Sequence, residues 1–236
     1  MQSVEEVARE ATSGLTTEGE KAIALHDYVR DHVKFGFTKY FDAAEPEYTL
    51  ESGIGHCNPK TRLMVSLFRA IGLVSYQHFV AIPGDILKGV LHPTISWSLP
   101  AQLSHAYTDV EVDGSWYAID SYVIDTALLK AAQARLAREG RSLGYGVRID
   151  STNVWDGHSD AFSQFERSLL IEDHGRVDDL DAYFRTDKYH NKIWGIRFNT
   201  LFRLMGDVSV GPTNSHIDGI RAQSVRGSDK QAALRR

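Results

Sequence analysis

Two runs of alternating character, Ser104-His105-Ala106-Tyr107-Thr108-Asp109-Val110-Glu111-Val112 and Ser115-Trp116-Tyr117-Ala118-Ile119-Asp120, are separated by Asp113-Gly114. A two-residue hairpin turn needs positive φ at both central positions, which Gly adopts freely and Asp tolerates. The segment therefore predicts an antiparallel hairpin whose turn length sets the register. Val112 faces Ser115, which carries His105 opposite Tyr122 and Tyr107 opposite Asp120. Side chains alternate faces with period two, so His105 and Asp120 share one face as diagonal neighbours. A three-residue turn would send Asp120 to the other face. In the two-residue register the carboxylate reaches one ring nitrogen of His105, fixes its tautomer and leaves the other nitrogen for a thiol.

The chain has 236 residues and one cysteine, Cys57, in Gly55-His56-Cys57-Asn58-Pro59. Leu63, Met64, Leu67, Phe68 and Ile71 follow at helical spacing, and Gly72 ends the run. That stripe is core, so the helix serves as a rigid mount. An unpaired cysteine most often packs as a small buried hydrophobe. The position of Cys57 sets it apart. With Asn58 as N-cap and Pro59 at the first helical position, unsatisfied N–H groups and the positive end of the helix dipole point towards the sulfur and favour thiolate.

In this order the residues resemble the transglutaminase-like superfamily, relatives of papain, in its bacterial-type single-domain form. The resemblance is carried by Gly55-His56-Cys57, Leu67-Phe68-Arg69-Ala70-Ile71-Gly72-Leu73, His105-Ala106-Tyr107 and Gly114-Ser115-Trp116-Tyr117-Ala118-Ile119-Asp120, over roughly residues 17 to 125. Tyr107 stands where the family often has Trp, and Ser121 where it often has Pro. Neither departure removes a catalytic group, and both leave substrate preference open. The resemblance implies an α+β, papain-like fold, with N-terminal helices packed on an antiparallel sheet. It also implies a cysteine enzyme with Cys57, His105 and Asp120 as catalytic triad. Such an enzyme attacks an amide or ester carbonyl, passes through a thioester and delivers the acyl group to water, as a peptidase or amidase, or to an amine, as an acyltransferase. The oxyanion needs donors, of which the Cys57 N–H is one. Tyr40, Tyr48 and His56 are candidates for the second, and Trp97 for a cleft wall.

Two readings from other classes stay open. One is a binding module with the same fold and an idle thiol. The other is a zinc hydrolase drawing on His56, His78, His92, His105 and Cys57, although no HExxH or CxxC spacing is present. The expected reading has no cofactor and no metal, and it takes a peptide-like or small amide substrate. No aspartate-rich calcium loop is visible. Asp125 falls beyond the hairpin, in a helix N-terminus.

The composition, 42% hydrophobic and 24% charged, suits a sizeable core. A net charge of -5 gives no overall attraction to nucleic acid. No apolar stretch has membrane-spanning length, and Met1-Gln2-Ser3-Val4-Glu5-Glu6 lacks the regions of a signal peptide, so the expected location is cytoplasmic, off the membrane. A single cysteine excludes an intrachain disulfide and suits a reducing compartment.

The remaining elements follow from local signals. Ser3 to Ala11 and a Thr17/Glu20 capping box predict two helices, and Val33 to Phe37 a short extended piece. A strand is expected over Tyr76 to Ile82, followed by a long connection to Pro100, and a helix over Thr126 to Arg138. The expected organisation is a catalytic core over 1–146, a helical, aromatic-rich C-terminal extension over 147–221 that closes over the cleft, and a mobile basic tail over 222–236. Asp178-Asp179-Leu180-Asp181 reads as a solvated helix start.

Overall fold

The structure, a computed structural model, describes residues 2–91 and 99–233. Its helices are α1 Val4–Ala11, α2 Glu18–His32, α3 Pro46–Ser52, α4 Cys57–Ala70, α5 Thr126–Glu139, α6 Leu180–Tyr183, α7 Phe198–Met205 and α8 Gly211–Ala233. The strands are β1 Lys34–Phe35, β2 Ile54–Gly55, β3 Ser75–Pro83, β4 Gln102–Val112, β5 Ser115–Ile119, β6 Leu143–Gly144, β7 Val147–Arg148, β8 Glu172–Arg176, β9 Lys192–Ile193 and β10 Ile196–Arg197. The main sheet has the order β5-β4-β3-β8, antiparallel throughout. Helices on one side and this sheet on the other give the α+β, transglutaminase-like arrangement.

The N-terminal helices begin where side chains answer the orphan N–H groups. Ser3 with Glu6 and Thr17 with Glu20 each form a complete capping box. Helix α4 buries Leu63, Met64, Leu67 and Phe68 against the sheet and α1 and α2. Each such side chain contributes roughly 1.5–3 kcal/mol by leaving water, which holds the first turn of α4 against the sheet.

The hairpin forms as its turn dictates. Asp113 and Gly114 have φ of 52° and 75°, and Val112 pairs with Ser115 through to Thr108 with Ile119. Helix α4, however, starts at Cys57 with His56 as N-cap, two positions ahead of the expected cap at Asn58 and start at Pro59. Proline is tolerated either way, because none of the first N–H groups has an intrahelical acceptor. Cys57 thus stands inside the first turn. Helix α8 carries Arg221, which is held by Asp125 at 2.7 Å. A buried carboxylate at the start of α5 draws that guanidinium inward. Asp125 itself caps α5 by accepting from the Leu128 N–H, and Asp179 caps α6 from the aspartate-rich run. Among the described residues no helix is long and apolar enough to cross a membrane.

Candidate active site

Helix α4 brings Cys57 and strand β4 brings His105 to one small cavity of about 30 Å³. Phe35, Phe37, Phe41, His56, Gln164 and Asn191 also line it. The Cys57 thiol is half-buried and donates to Asn58 Oδ1 at 3.3 Å. His105 is buried, and its Nε2 stands 2.9 Å from Asp120 Oδ2. Nδ1 is the nitrogen left to face the sulfur. Burial opposes charging the ring, but the negative charge of Cys57, with Asp120 behind, overcomes it and raises the pKa of His105. The arrangement favours the protonated form of His105 beside Cys57.

Asp120 follows directly on β5 and is fully buried. A buried carboxylate without partners would take up a proton instead of serving a histidine. The segment 163–165 supplies such partners, as the N–H groups of Ser163, Gln164 and Phe165 and the Ser163 hydroxyl all donate to Asp120. Sequence reasoning missed this segment. It has no periodicity, and the bridge that places it, Ala161 to Ile119, exists only in the folded chain.

A second buried carboxylate, Asp42, was also missed. It accepts from His56 Nε2 at 2.6 Å, Asn58 Nδ2 at 2.7 Å, the Tyr189 hydroxyl at 2.5 Å and Asn191 Nδ2 at 2.7 Å. These bonds fasten the start of α4 to the loop before it and to the segment after α6. His56 packs at a tilt against Phe41 with ring centroids 4.5 Å apart, and its Nδ1 is buried with no hydrogen-bond partner. Phe41 has φ of 48°, in the left-handed region that an aromatic residue rarely occupies.

Of the three further candidates among the described residues, His56 lines the cavity and Tyr40 and Tyr48 do not. Tyr40 and Tyr48 pack edge-on against each other at 4.6 Å, away from that lining, because their rings find each other instead of the sulfur. Trp97 and His92 lie outside the described residues. The histidines weighed as zinc ligands are instead paired with carboxylates: His56 with Asp42, His78 with Asp109 and Asp173, His105 with Asp120.

Residues 5–121 match the family model of the transglutaminase-like superfamily. This stretch of the chain belongs to that superfamily. No curated protein matches the sequence. Among solved structures, this transglutaminase-like chain is similar to a candidate cysteine protease from Cytophaga hutchinsonii, at 16% identity and TM-score 0.38, covering 49% of this chain and 35% of that one. A candidate protease from Parabacteroides distasonis shows 18% identity and TM-score 0.36, covering 49% and 22%. A structure described as a TGase shows 15% identity and TM-score 0.36, covering 50% and 30%. The similarity thus spans about a third or less of those chains.

Proposed function

We propose that the protein is a cysteine enzyme in which Cys57 attacks an amide or ester carbonyl and carries the acyl group as a thioester. The observation that carries this reading is the His105 imidazole, set in one cavity with Cys57 and bonded to the buried Asp120. The thiolate adds to the carbonyl, His105 returns its proton to the departing amine or alcohol, and Asp120 orients the ring and stabilises its charge. In the second half, water or an amine gives its proton to His105 and displaces Cys57. The Cys57 N–H, in the first turn of α4, is one oxyanion donor. His56 Nδ1 and Gln164 Oε1 are buried polar atoms without hydrogen-bond partners on residues that line the cavity.

The neighbouring cavity indicates which acyl groups fit. It measures about 160 Å³, is lined by Leu91, Ile193, Phe198, Leu201, Phe202 and Met205 among others, and shares Phe37, Phe41 and Leu87 with the Cys57 cavity. Those three side chains separate the two spaces. Displacing them joins the thiol to an apolar pocket, so the preferred donor carries an apolar group on the acyl side, within the class of peptide-like or small amides.

The test is intact-protein mass spectrometry after incubation with p-nitroanilides and p-nitrophenyl esters of increasing apolar acyl length. An acyl adduct located on Cys57, with kcat/KM rising with apolar length and no adduct in Cys57→Ala, is expected. Failure of every donor to label Cys57, in a protein whose thiol reacts with iodoacetamide no faster at neutral pH than a free cysteine does, would favour a binding module.

A further inference from the structure

Glu172 and His174 both lie on strand β8, where a bulge leaves His174 without a direct partner on β3. His190, from the segment before β9, meets them there. One donor atom from each lies within 4.8 Å of the other two. His174 Nε2 is 3.3 Å and His190 Nε2 3.8 Å from Glu172 Oε2. Donors about 2.1 Å from a tetrahedral zinc ion are about 3.4 Å apart, so little movement closes the set.

A surface cluster of this kind would mean little by itself, but here two buried ring nitrogens face only the Glu172 carboxylate, and neither contact is a well-formed hydrogen bond. The His174 side chain is fully buried, and neither its Nε2 nor His190 Nε2 makes a hydrogen bond. Leaving a buried ring nitrogen unpaired is unfavourable by about 1–3 kcal/mol. The other nitrogen of His174 is already placed, with Nδ1 2.8 Å from the Tyr183 hydroxyl. Metal-bound imidazoles are held in this way, one nitrogen on the ion and the opposite N–H on an acceptor. The Tyr183 hydroxyl donates in turn to Ser104 Oγ, which also accepts from the His190 N–H.

We propose that Glu172, His174 and His190 bind a zinc-type divalent ion, with water completing a tetrahedral shell. Two imidazoles and a carboxylate suit Zn²⁺ over Ca²⁺ or Mg²⁺, which prefer oxygen. Bound there, the ion fastens the segment carrying Tyr189 and Asn191 to the edge of the main sheet. Both residues donate to Asp42, so the ion holds in place one wall of the Cys57 cavity.

The test uses the full chain carrying Cys57→Ala, so that the thiol offers no competing ligand, stripped with EDTA and titrated with Co²⁺ and Zn²⁺. Expected are one equivalent of Co²⁺ with the visible absorption of a tetrahedral site, its displacement by Zn²⁺, and a melting temperature several degrees higher with Zn²⁺. Glu172→Gln and His190→Gln, at partly exposed positions that leave the fold intact, should each abolish the absorption. Tyr183→Phe should weaken binding roughly 10–100-fold. Absence of a stoichiometric Co²⁺ spectrum in the parent, or an unchanged spectrum in His190→Gln, would overturn the proposal.

Discussion

At the scale of single residues, the working state of His105 depends on which groups donate to Asp120. All the hydrogen-bond partners of that carboxylate are donors: His105 Nε2, the Ser163 hydroxyl and three backbone N–H groups. An asparagine there must turn its own NH₂ towards one of them. Asp120→Asn therefore presses the proton of His105 off Nε2 and onto Nδ1, the nitrogen meant for sulfur. Activity should fall roughly 10²–10⁴-fold with the fold retained. The pKa of His105 should fall as well, because a negative neighbour that raises it is gone. The imidazolium must still hold its proton for the leaving group, so the alkaline limb of kcat/KM should move to lower pH in the variant. An unmoved limb with normal activity would mean that Asp120 does not act on the ring. Cys57→Ala and His105→Ala should each remove activity by a far larger factor, on the order of 10⁶, since neither leaves a nucleophile–base pair.

At the scale of elements, the hairpin was legible because Asp113-Gly114 permits one turn length, and alternation then leaves one register. Helix α4 was legible from its apolar stripe, and its start missed by two residues because Pro59 is compatible with several first-turn positions. What binds the elements together was not legible. Asp42 lies in a loop without periodicity, and its partners Tyr189 and Asn191 are far along the chain, so no local pattern marks them. The consequence is measurable. Tyr189→Phe removes one donor to a buried carboxylate that keeps three others, and should lower unfolding free energy by about 1–2 kcal/mol. Asp42→Ala strands four buried donors at once and should lower it by several kcal/mol, read from urea midpoints. Equal effects of the two changes would show that Asp42 is not the point where these elements are joined.

At the scale of the whole molecule, the core carries one buried amine whose titration spreads over three parts of the fold. Lys60, in α4, donates to the Val33 carbonyl after α2 at 2.6 Å and to the Val123 carbonyl after the hairpin at 2.9 Å. Sequence patterning misses such a residue, because lysine counts as surface wherever it occurs and only the assembled structure shows it enclosed. Burial lowers its pKa from 10.5 to about 7, with nearby Asp125 opposing and Arg221 adding to the fall. In the window between these values the unfolded chain holds a proton that the folded chain has released, so stability rises with pH. Below about pH 7 both states hold it and the gain is absent. His105 works in the opposite sense: its folded pKa is raised, so its contribution is present at low pH and lost as pH rises. The two oppose each other in the native chain, and total stability alone therefore hides both. Lys60→Met separates them. Its unfolding free energy, subtracted from that of the native chain at each pH, should leave the lysine contribution alone. That difference should shift by a few kcal/mol in favour of the native chain between pH 7 and 10. A difference that stays flat across this range would show that Lys60 keeps its proton inside the fold, as a buried cation held by two carbonyls and Asp125.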